Sequence, residues 1–196
     1  MSQKKEIKEI IEILKHDGIG VMPTDTLYGL VGSAFSKKAV NRIYKIKRRN
    51  PEKKSIILIS SISDFKKFKI NLSKKQRAFV KKVWPGKVSI VINNVAFRFP
   101  AKKSLVEILK KTGPLVVPSA NPEGLKPAQN INEAKEYFED RVDFYLSGGT
   151  LKGKPSALIR LNENGKITIL RGNPVVSFCK ARSASNKTLQ KSTNRV

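Results

Sequence analysis

The chain has 196 residues, a length for which we expect one domain. Its 40 Lys and Arg residues against 15 Asp and Glu give a net charge of +25 at pH 7. Such a charge predicts a preference for polyanionic partners such as nucleotides or nucleic acid. A single cysteine, Cys179, excludes an internal disulfide framework and a multi-cysteine zinc site, and a single histidine, His16, excludes His-paired metal ligation. No apolar run approaches the roughly 18 residues of a membrane span, and the charged N-terminus is unlike a signal peptide, so we expect a cytoplasmic protein without membrane contact.

The pattern of apolar and turn residues in the first half predicts helices and strands in alternation. Apolar residues recur at helical spacing within residues 4–17, and Gly18 marks the expected end of that helix. Ser36 and Ser73 are expected N-caps of two further helices, the second ending before Pro85. The strands predicted here, from short apolar and β-branched runs, are 19–22 and 55–59.

The second half contains more strands than helices. Asn93 and Asn94 indicate a turn between two strands. A helix is predicted around residues 105–109, ending at Gly113, and another over 131–139. The predicted strands, in chain order, are 88–92, 95–99, 115–117, 143–146, 156–161 and 166–170. This arrangement predicts an α/β fold with a mixed sheet.

The C-terminal twenty residues, 177–196, differ in composition from the rest. They hold five basic residues, no acidic ones, and many Ser, Thr and Asn. Such a composition predicts a solvated, disordered basic tail. The expected organisation is therefore a folded domain over 1–176 and a tail over 177–196.

Two polar segments directly follow predicted strands. Thr24, Asp25 and Thr26 come after the first strand, and Ser119 and Asn121 after a later one. Hydroxyl, carboxylate and amide groups at strand ends indicate a ligand cleft in α/β folds, although the same residue types are common in capped turns.

Basic residues are concentrated at a few other places. Six cations lie within residues 45–54, which form either a solvated loop or an anion-binding segment. Arg98 lies inside an apolar strand and Arg171 ends the last one. The glycine-rich segment 148–154 matches the start of a P-loop, but Pro155 and a strand follow it instead of a helix, so we exclude a P-loop.

Together, these segments resemble the YrdC-like threonylcarbamoyl-AMP synthases, in their short, single-domain form. The resemblance runs from about Gly18 to Pro174. The matching motifs are Pro-Thr-Asp-Thr-x-Tyr-Gly-Leu at 23–30, Lys-x-Arg at 47–49, Trp-Pro-Gly at 84–86, Arg-x-Pro at 98–100, Pro-Ser-Ala-Asn at 118–121 and Leu-Arg-Gly at 170–172. The resemblance implies a twisted mixed sheet with flanking helices that encloses a basic cleft.

The resemblance also implies an activity, that of a nucleotidyltransferase. L-Threonine, bicarbonate and ATP would condense to threonylcarbamoyl-AMP and pyrophosphate, with Mg²⁺ entering as Mg-ATP and no organic cofactor. Downstream threonylcarbamoyl transferase machinery would carry the group to adenosine 37 of tRNA, and the charge of +25 favours contact with tRNA or other RNA. The alternative is a non-catalytic RNA- or tRNA-binding module on the same fold.

The resemblance assigns site residues position by position. Lys47 and Arg49 would be the catalytic pair, holding the ATP phosphates and the carbamate. The expected threonine-binding residues are Thr26, Arg98 and Ser156. The expected ATP-binding residues are Lys47, Arg49, Lys53, Asn94, Ser119, Asn121 and Arg171. Lys54 would take the place of Lys53 if the sequence carries one inserted residue, and no metal ligand is assigned.

The sequence departs from the family pattern at several positions. Ala157 stands where threonine is usual, Leu58 where some members have histidine, and Pro127 with Ala128 replaces a loop that often contains Ser or Thr. These departures leave open an altered affinity or an altered amino-acid substrate.

Overall fold

The computed structural model describes residues 3–50 and 52–174, in which helices and nine strands alternate. The α-helices are α1 (Gln3–Lys15), α2 (Lys37–Ile46), α3 (Lys74–Val83), α4 (Lys103–Thr112) and α5 (Ile131–Phe138). The strands are β1 (Ile19–Pro23), β2 (Tyr28–Ser33), β3 (Ile57–Leu58), β4 (Val88–Ile92), β5 (Val95–Arg98), β6 (Leu115–Val116), β7 (Phe144–Tyr145), β8 (Ala157–Leu161) and β9 (Ile167–Arg171). A 3₁₀ helix spans Ile62–Phe68.

The described strands form one sheet in the order β7-β1-β2-β6-β3-β5-β4-β8-β9. The pairs β1/β7, β3/β5 and β4/β8 are parallel, and the other neighbours are antiparallel. This confirms the predicted α/β fold with a mixed sheet and flanking helices.

The predicted helix starts are confirmed at atomic detail. The hydroxyl of Ser36 accepts a hydrogen bond from the backbone N–H of Ala39 at 3.0 Å. Ser73 and Gln76 form a capping box in which each side chain accepts from the other's backbone N–H. Both arrangements satisfy donors that the first helical turn leaves free.

The first half of the sheet is covered on both faces. Successive residues of a strand point to opposite faces, so Val21 packs in a cluster with Ile43 of α2 and Phe138 of α5, whereas Met22 packs with Leu14 of α1 and Leu105 of α4. This double burial explains why β1 is a continuous apolar run.

The second half of the sheet packs on an aromatic cluster that contains Phe65, Trp84 and Phe97. Among the described strands, β9 lies at one end of the sheet and pairs only with β8, and it is exposed at all five residues. Ile169 and Leu170 leave 56% and 44% of their surface in solvent. Among the strands that carry a predicted site residue, β9, which carries Arg171, is therefore held by the fewest packing and pairing contacts.

Three elements differ from the sequence prediction, and the first is the 3₁₀ helix Ile62–Phe68, which was not predicted. β2 was not predicted, because its glycines and the polar turn before it obscure the strand pattern. The strand predicted over 55–59 forms ladder pairs only at Ile57–Leu58. The segment 148–154 has no regular structure and precedes β8, as expected once a P-loop is excluded. The predicted tail, 177–196, lies outside the described residues, in which no helix is long and apolar enough to cross a membrane.

Candidate active site

A cavity of about 260 Å³ collects residues from distant parts of the chain. Leu58, Arg98 and Arg171 contribute from three strands, and the turn after β1 contributes Thr24 and Thr26. The cavity thus combines an apolar wall with hydroxyl and guanidinium groups, which suits a ligand with apolar and anionic parts.

The structure brings six of the ten predicted site residues to this cavity, and the other four lie elsewhere. Those lining it are Thr26, Arg49, Arg98, Ser119, Ser156 and Arg171. Those outside the lining are Lys47, Lys53, Asn94 and Asn121.

The turn after β1 is held together by the hydroxyl of Thr24. That oxygen donates to the carbonyl of Leu27 at 2.7 Å and accepts from the backbone N–H groups of Thr26 and Leu27. The Thr24 and Thr26 hydroxyls lie 3.1 Å apart. The turn is thus both a capped turn and a wall of the cavity, so the two interpretations of this motif are compatible.

Arg98 lies in the interior of the sheet, with only 4% of its surface exposed. Its Nη2 forms an ion pair with Oδ1 of Asp25 at 2.8 Å, and its Nη1 donates to the hydroxyl of Thr26 at 3.2 Å. Its Nε is buried and has no hydrogen-bond partner among the described residues. A surface position on an edge strand is therefore excluded for this arginine.

Three arginines face the cavity and act on one another. Partial burial of its guanidinium first, and then the positive charge of Arg49, lowers the pKa of Arg171, although the residue as a whole is exposed. Burial lowers the pKa of Arg98, Asp25 opposes that shift, and Arg171 adds to it. Among the described residues, only Arg98 of the three forms an ion pair. Cations that destabilise one another in this way form a site for an anion.

Ser156 lies at the same wall, between β4 and β9. Its buried hydroxyl is 2.8 Å from that of Ser89, and its carbonyl accepts from Nη2 of Arg171 at 3.2 Å. The start of β8 therefore positions an arginine that the end of β9 supplies.

Lys47 is almost fully buried and does not line the cavity. Its ammonium donates to the backbone carbonyls of Ser119, at 2.7 Å, and Asn121, and to the Asn121 side chain at 3.3 Å. Burial and then Arg49 lower its pKa from 10.5 to about 8, with Glu123 opposing the shift. Lys47 and Asn121 thus bind each other, so contact of either with a nucleotide stays a prediction that needs the loop to rearrange.

The choice between Lys53 and Lys54 is informed by where each side chain lies. Lys54 lines the cavity. Lys53 forms an ion pair with Glu123, whose carboxylate also accepts from the backbone N–H of Asn50 at 3.1 Å. This geometry favours Lys54 as the nucleotide contact, and the sequence pattern had left the choice open.

Asn94 does not line the cavity. It is exposed in the turn between β4 and β5, where it lines a different depression together with Gln76 and Arg160. Its φ of +60° suits the turn predicted from the sequence. Asn94 as an ATP contact therefore has no geometric support.

Tyr28 and Gly153 fix the glycine-rich segment against the turn after β1. The buried hydroxyl of Tyr28 donates to the carbonyl of Gly149 at 2.7 Å and accepts from the N–H of Gly148 at 2.8 Å. A Cβ at Gly153 would overlap the carbonyl of Thr26. No local sequence signal predicts this arrangement, because Tyr28 and its partners lie about 120 residues apart.

Fold and cavity together define an α/β protein in which three arginines and several hydroxyl groups line one cavity. Residues 12–172 match the family model of Sua5, YciO and YrdC proteins, described as "Telomere recombination", and the chain belongs to this family. Its relatives include the threonylcarbamoyl-AMP synthase of Hahella chejuensis, 33% identical over 78% of this chain and 91% of that protein. A protein of Methanocaldococcus jannaschii called "Putative threonylcarbamoyl-AMP synthase" is 28% identical, over 86% of this chain and 88% of its own.

Solved structures share the fold. Escherichia coli YciO superposes with a TM-score of 0.76 at 22% identity, over 89% of this chain and 93% of its own. Pyrococcus abyssi Sua5, solved in complex with L-threonine, superposes with a TM-score of 0.78 at 24% identity, over 87% of this chain. This chain spans about 55% of that longer protein.

Proposed function

We propose that this chain is an L-threonylcarbamoyladenylate synthase, which converts L-threonine, bicarbonate and ATP to threonylcarbamoyl-AMP and pyrophosphate. The observation that carries the proposal is the set of Arg49, Arg98 and Arg171 around one cavity, beside the hydroxyls of Thr24 and Thr26. The curated relatives named threonylcarbamoyl-AMP synthase support it.

The chemistry requires little acid–base catalysis. The threonine amine and bicarbonate form a carbamate as water leaves, and one oxygen of the carbamate then attacks the α-phosphorus of ATP as pyrophosphate leaves. Such a step depends on positioning and on neutralising the charge of the phosphates. Arg49, Lys54 and Arg171 would supply that charge, and Arg98 with Thr26 would bind the amino acid.

Magnesium would arrive with ATP. No group of three His, Cys, Asp or Glu side chains suited to a metal occurs in the described part of the chain. The donors at this cavity are cationic or hydroxylic, so they fit a phosphate-bound ion better than a resident one. Mg²⁺ would then neutralise part of the triphosphate charge, and the arginines the remainder.

We also propose that the product is passed to a transferase that modifies adenosine 37 of tRNA. The net charge of +25 favours contact with tRNA. That contact would add to the synthase activity rather than replace it, because a module that only binds RNA has no need of three arginines around one cavity.

Pyrophosphate release by the purified protein tests the function. The mixture holds ATP, Mg²⁺ and bicarbonate, with L-threonine, with L-serine or without an amino acid. We expect release that depends on threonine, and its loss in Arg49→Ala but not in Arg77→Ala, a change of an exposed arginine on α3. A folded protein that releases no pyrophosphate would favour the RNA-binding alternative, which a salt-dependent tRNA titration would then measure.

A further inference from the structure

We infer that Asp25 is a positioning residue for amino-acid recognition, because it fixes the guanidinium of Arg98 in the orientation that meets the substrate carboxylate. The inference rests on the proposed function. Arg98 lines the cavity, whereas Asp25 does not. Asp25 therefore acts through Arg98, from the side away from the ligand.

The contacts of Asp25 are suited to this role. Its Oδ1 lies 2.8 Å from Nη2 of Arg98, and the two side chains are only 7% and 5% exposed. Its Oδ2 accepts from the backbone N–H of Ala101 at 3.4 Å, in the connection that follows β5. The carboxylate thus joins the turn after β1 to the strand that carries Arg98.

The guanidinium is held at two of its three nitrogens. Nη2 meets Asp25 and Nη1 meets the hydroxyl of Thr26. A planar group fixed at two corners cannot rotate, so its orientation toward the cavity is set before a ligand enters. Preorganisation of this kind lowers the entropy cost of binding.

The negative charge of Asp25 has a second effect. It neutralises Arg98 in the free protein, so this arginine attracts anions less strongly than Arg49 or Arg171 would. A ligand then gains from Arg98 only through well-directed hydrogen bonds, which a carboxylate supplies and a misplaced phosphate does not. We therefore expect Asp25 to separate the amino-acid end of the cavity from its phosphate end.

A double-mutant cycle tests the inference. KM for L-threonine and for ATP is measured by pyrophosphate release in the wild type, Asp25→Asn, Arg98→Met and the double variant. We expect Asp25→Asn to raise KM for threonine about tenfold and KM for ATP less than twofold. In the Arg98→Met background, the same change should alter KM for threonine less than twofold, because Asp25 acts through the missing arginine.

Asp64→Asn is the matched control. Asp64 is also a buried carboxylate, but it bonds Ser60 and Ser61 and lies outside the cavity. The Asp64→Asn variant should have a lower melting temperature than the wild type and an unchanged KM for threonine. Asp25→Glu, which keeps the charge but displaces the carboxylate, provides a second variant if Asp25→Asn does not fold. It should also raise KM for threonine.

Three results would overturn the inference. They are an unchanged KM for threonine in folded Asp25 variants, equal increases in both KM values, and an effect of the same size in the Arg98→Met background. A wild-type protein without threonine-dependent release would instead refute the proposed function, and the inference with it.

Discussion

Lys47 is the least exposed charged residue in the described part of the chain. Its ammonium satisfies oxygens of the loop that carries Ser119 and Asn121, so its position resembles that of a structural clamp. A motif identifies the residue type needed at a position, but it does not state which neighbour the side chain binds when no ligand is present. This is why Lys47 could be predicted as part of the site and its present partners could not.

Comparing variants of Lys47 and Arg49 distinguishes a residue that stabilises the fold from one that binds the nucleotide. Lys47→Ala leaves buried oxygens without a donor, so we expect a loss of about 2 to 3 kcal/mol in the free energy of unfolding. Arg49→Ala, at the cavity, should leave stability nearly unchanged and raise KM for ATP at least tenfold. Urea unfolding and steady-state kinetics measure the two effects. The control is Lys45→Ala, an exposed change on α2, and equal stability of Lys45→Ala and Lys47→Ala would contradict the clamp.

Lys53 and Lys54 offer a matched pair of adjacent lysines. Lys54 lines the cavity and Lys53 binds Glu123. We expect Lys54→Ala to raise KM for ATP about fivefold to tenfold, and Lys53→Ala to raise it less than twofold. ATP titration of the pyrophosphate assay decides between the two lysines. A larger effect at Lys53 would show that Lys53 is the ATP contact and that the sequence carries no inserted residue before it.

At the scale of elements, the sequence predicted most helices and strands but not how loops meet. The spacing of apolar residues identified α1, and Ser36 and Ser73 identified helix starts, because these signals are local. β2 was missed because its strand character depends on pairing with β1 and β6. The bond from Tyr28 to the glycine-rich segment depends on tertiary contact and has no local signal.

Tyr28→Phe tests that contact. The change removes the hydroxyl that binds Gly148 and Gly149, so we expect a loss of about 1 to 2 kcal/mol in unfolding free energy and a higher KM for threonine. Tyr145→Phe, which removes an exposed hydroxyl bonded to a carbonyl near the end of α5, should cost about 0.5 kcal/mol or less. Similar losses in both variants, measured by urea unfolding, would show that the glycine-rich segment does not depend on Tyr28.

At the scale of the molecule, the charge of +25 opposes folding by self-repulsion. Salt screens this repulsion, so we expect the melting temperature to rise between 10 and 200 mM NaCl. Phosphate at equal ionic strength should raise it further, because phosphate can also occupy the arginine site. Arg171→Ala should remove the additional effect of phosphate and keep the effect of NaCl, as thermal scans would show.

The few carboxylates determine stability in acid. Bonds to Lys67 and Ser60 lower the pKa of Asp64 despite its burial, and bonds to Arg42 and Ile19 do so for Asp143. A lowered pKa contributes stability above the unfolded value of 3.8, and that stability disappears as the pH falls through the folded pKa. The free energy of unfolding should therefore fall more steeply with decreasing pH below about pH 4, and this fall should be smaller in Asp64→Asn. An identical acid transition in that variant would refute the assignment.

The exposed edge strand β9 has a consequence for the timing of local motions. Because β8 is the one described strand that pairs with β9, the backbone amides of β9 should exchange with deuterium through local opening rather than through global unfolding. Each opening would also withdraw Arg171 from the cavity. A bound nucleotide must then slow deuterium uptake at Ile167–Arg171, so the outermost strand serves as a reporter of whether the site is filled.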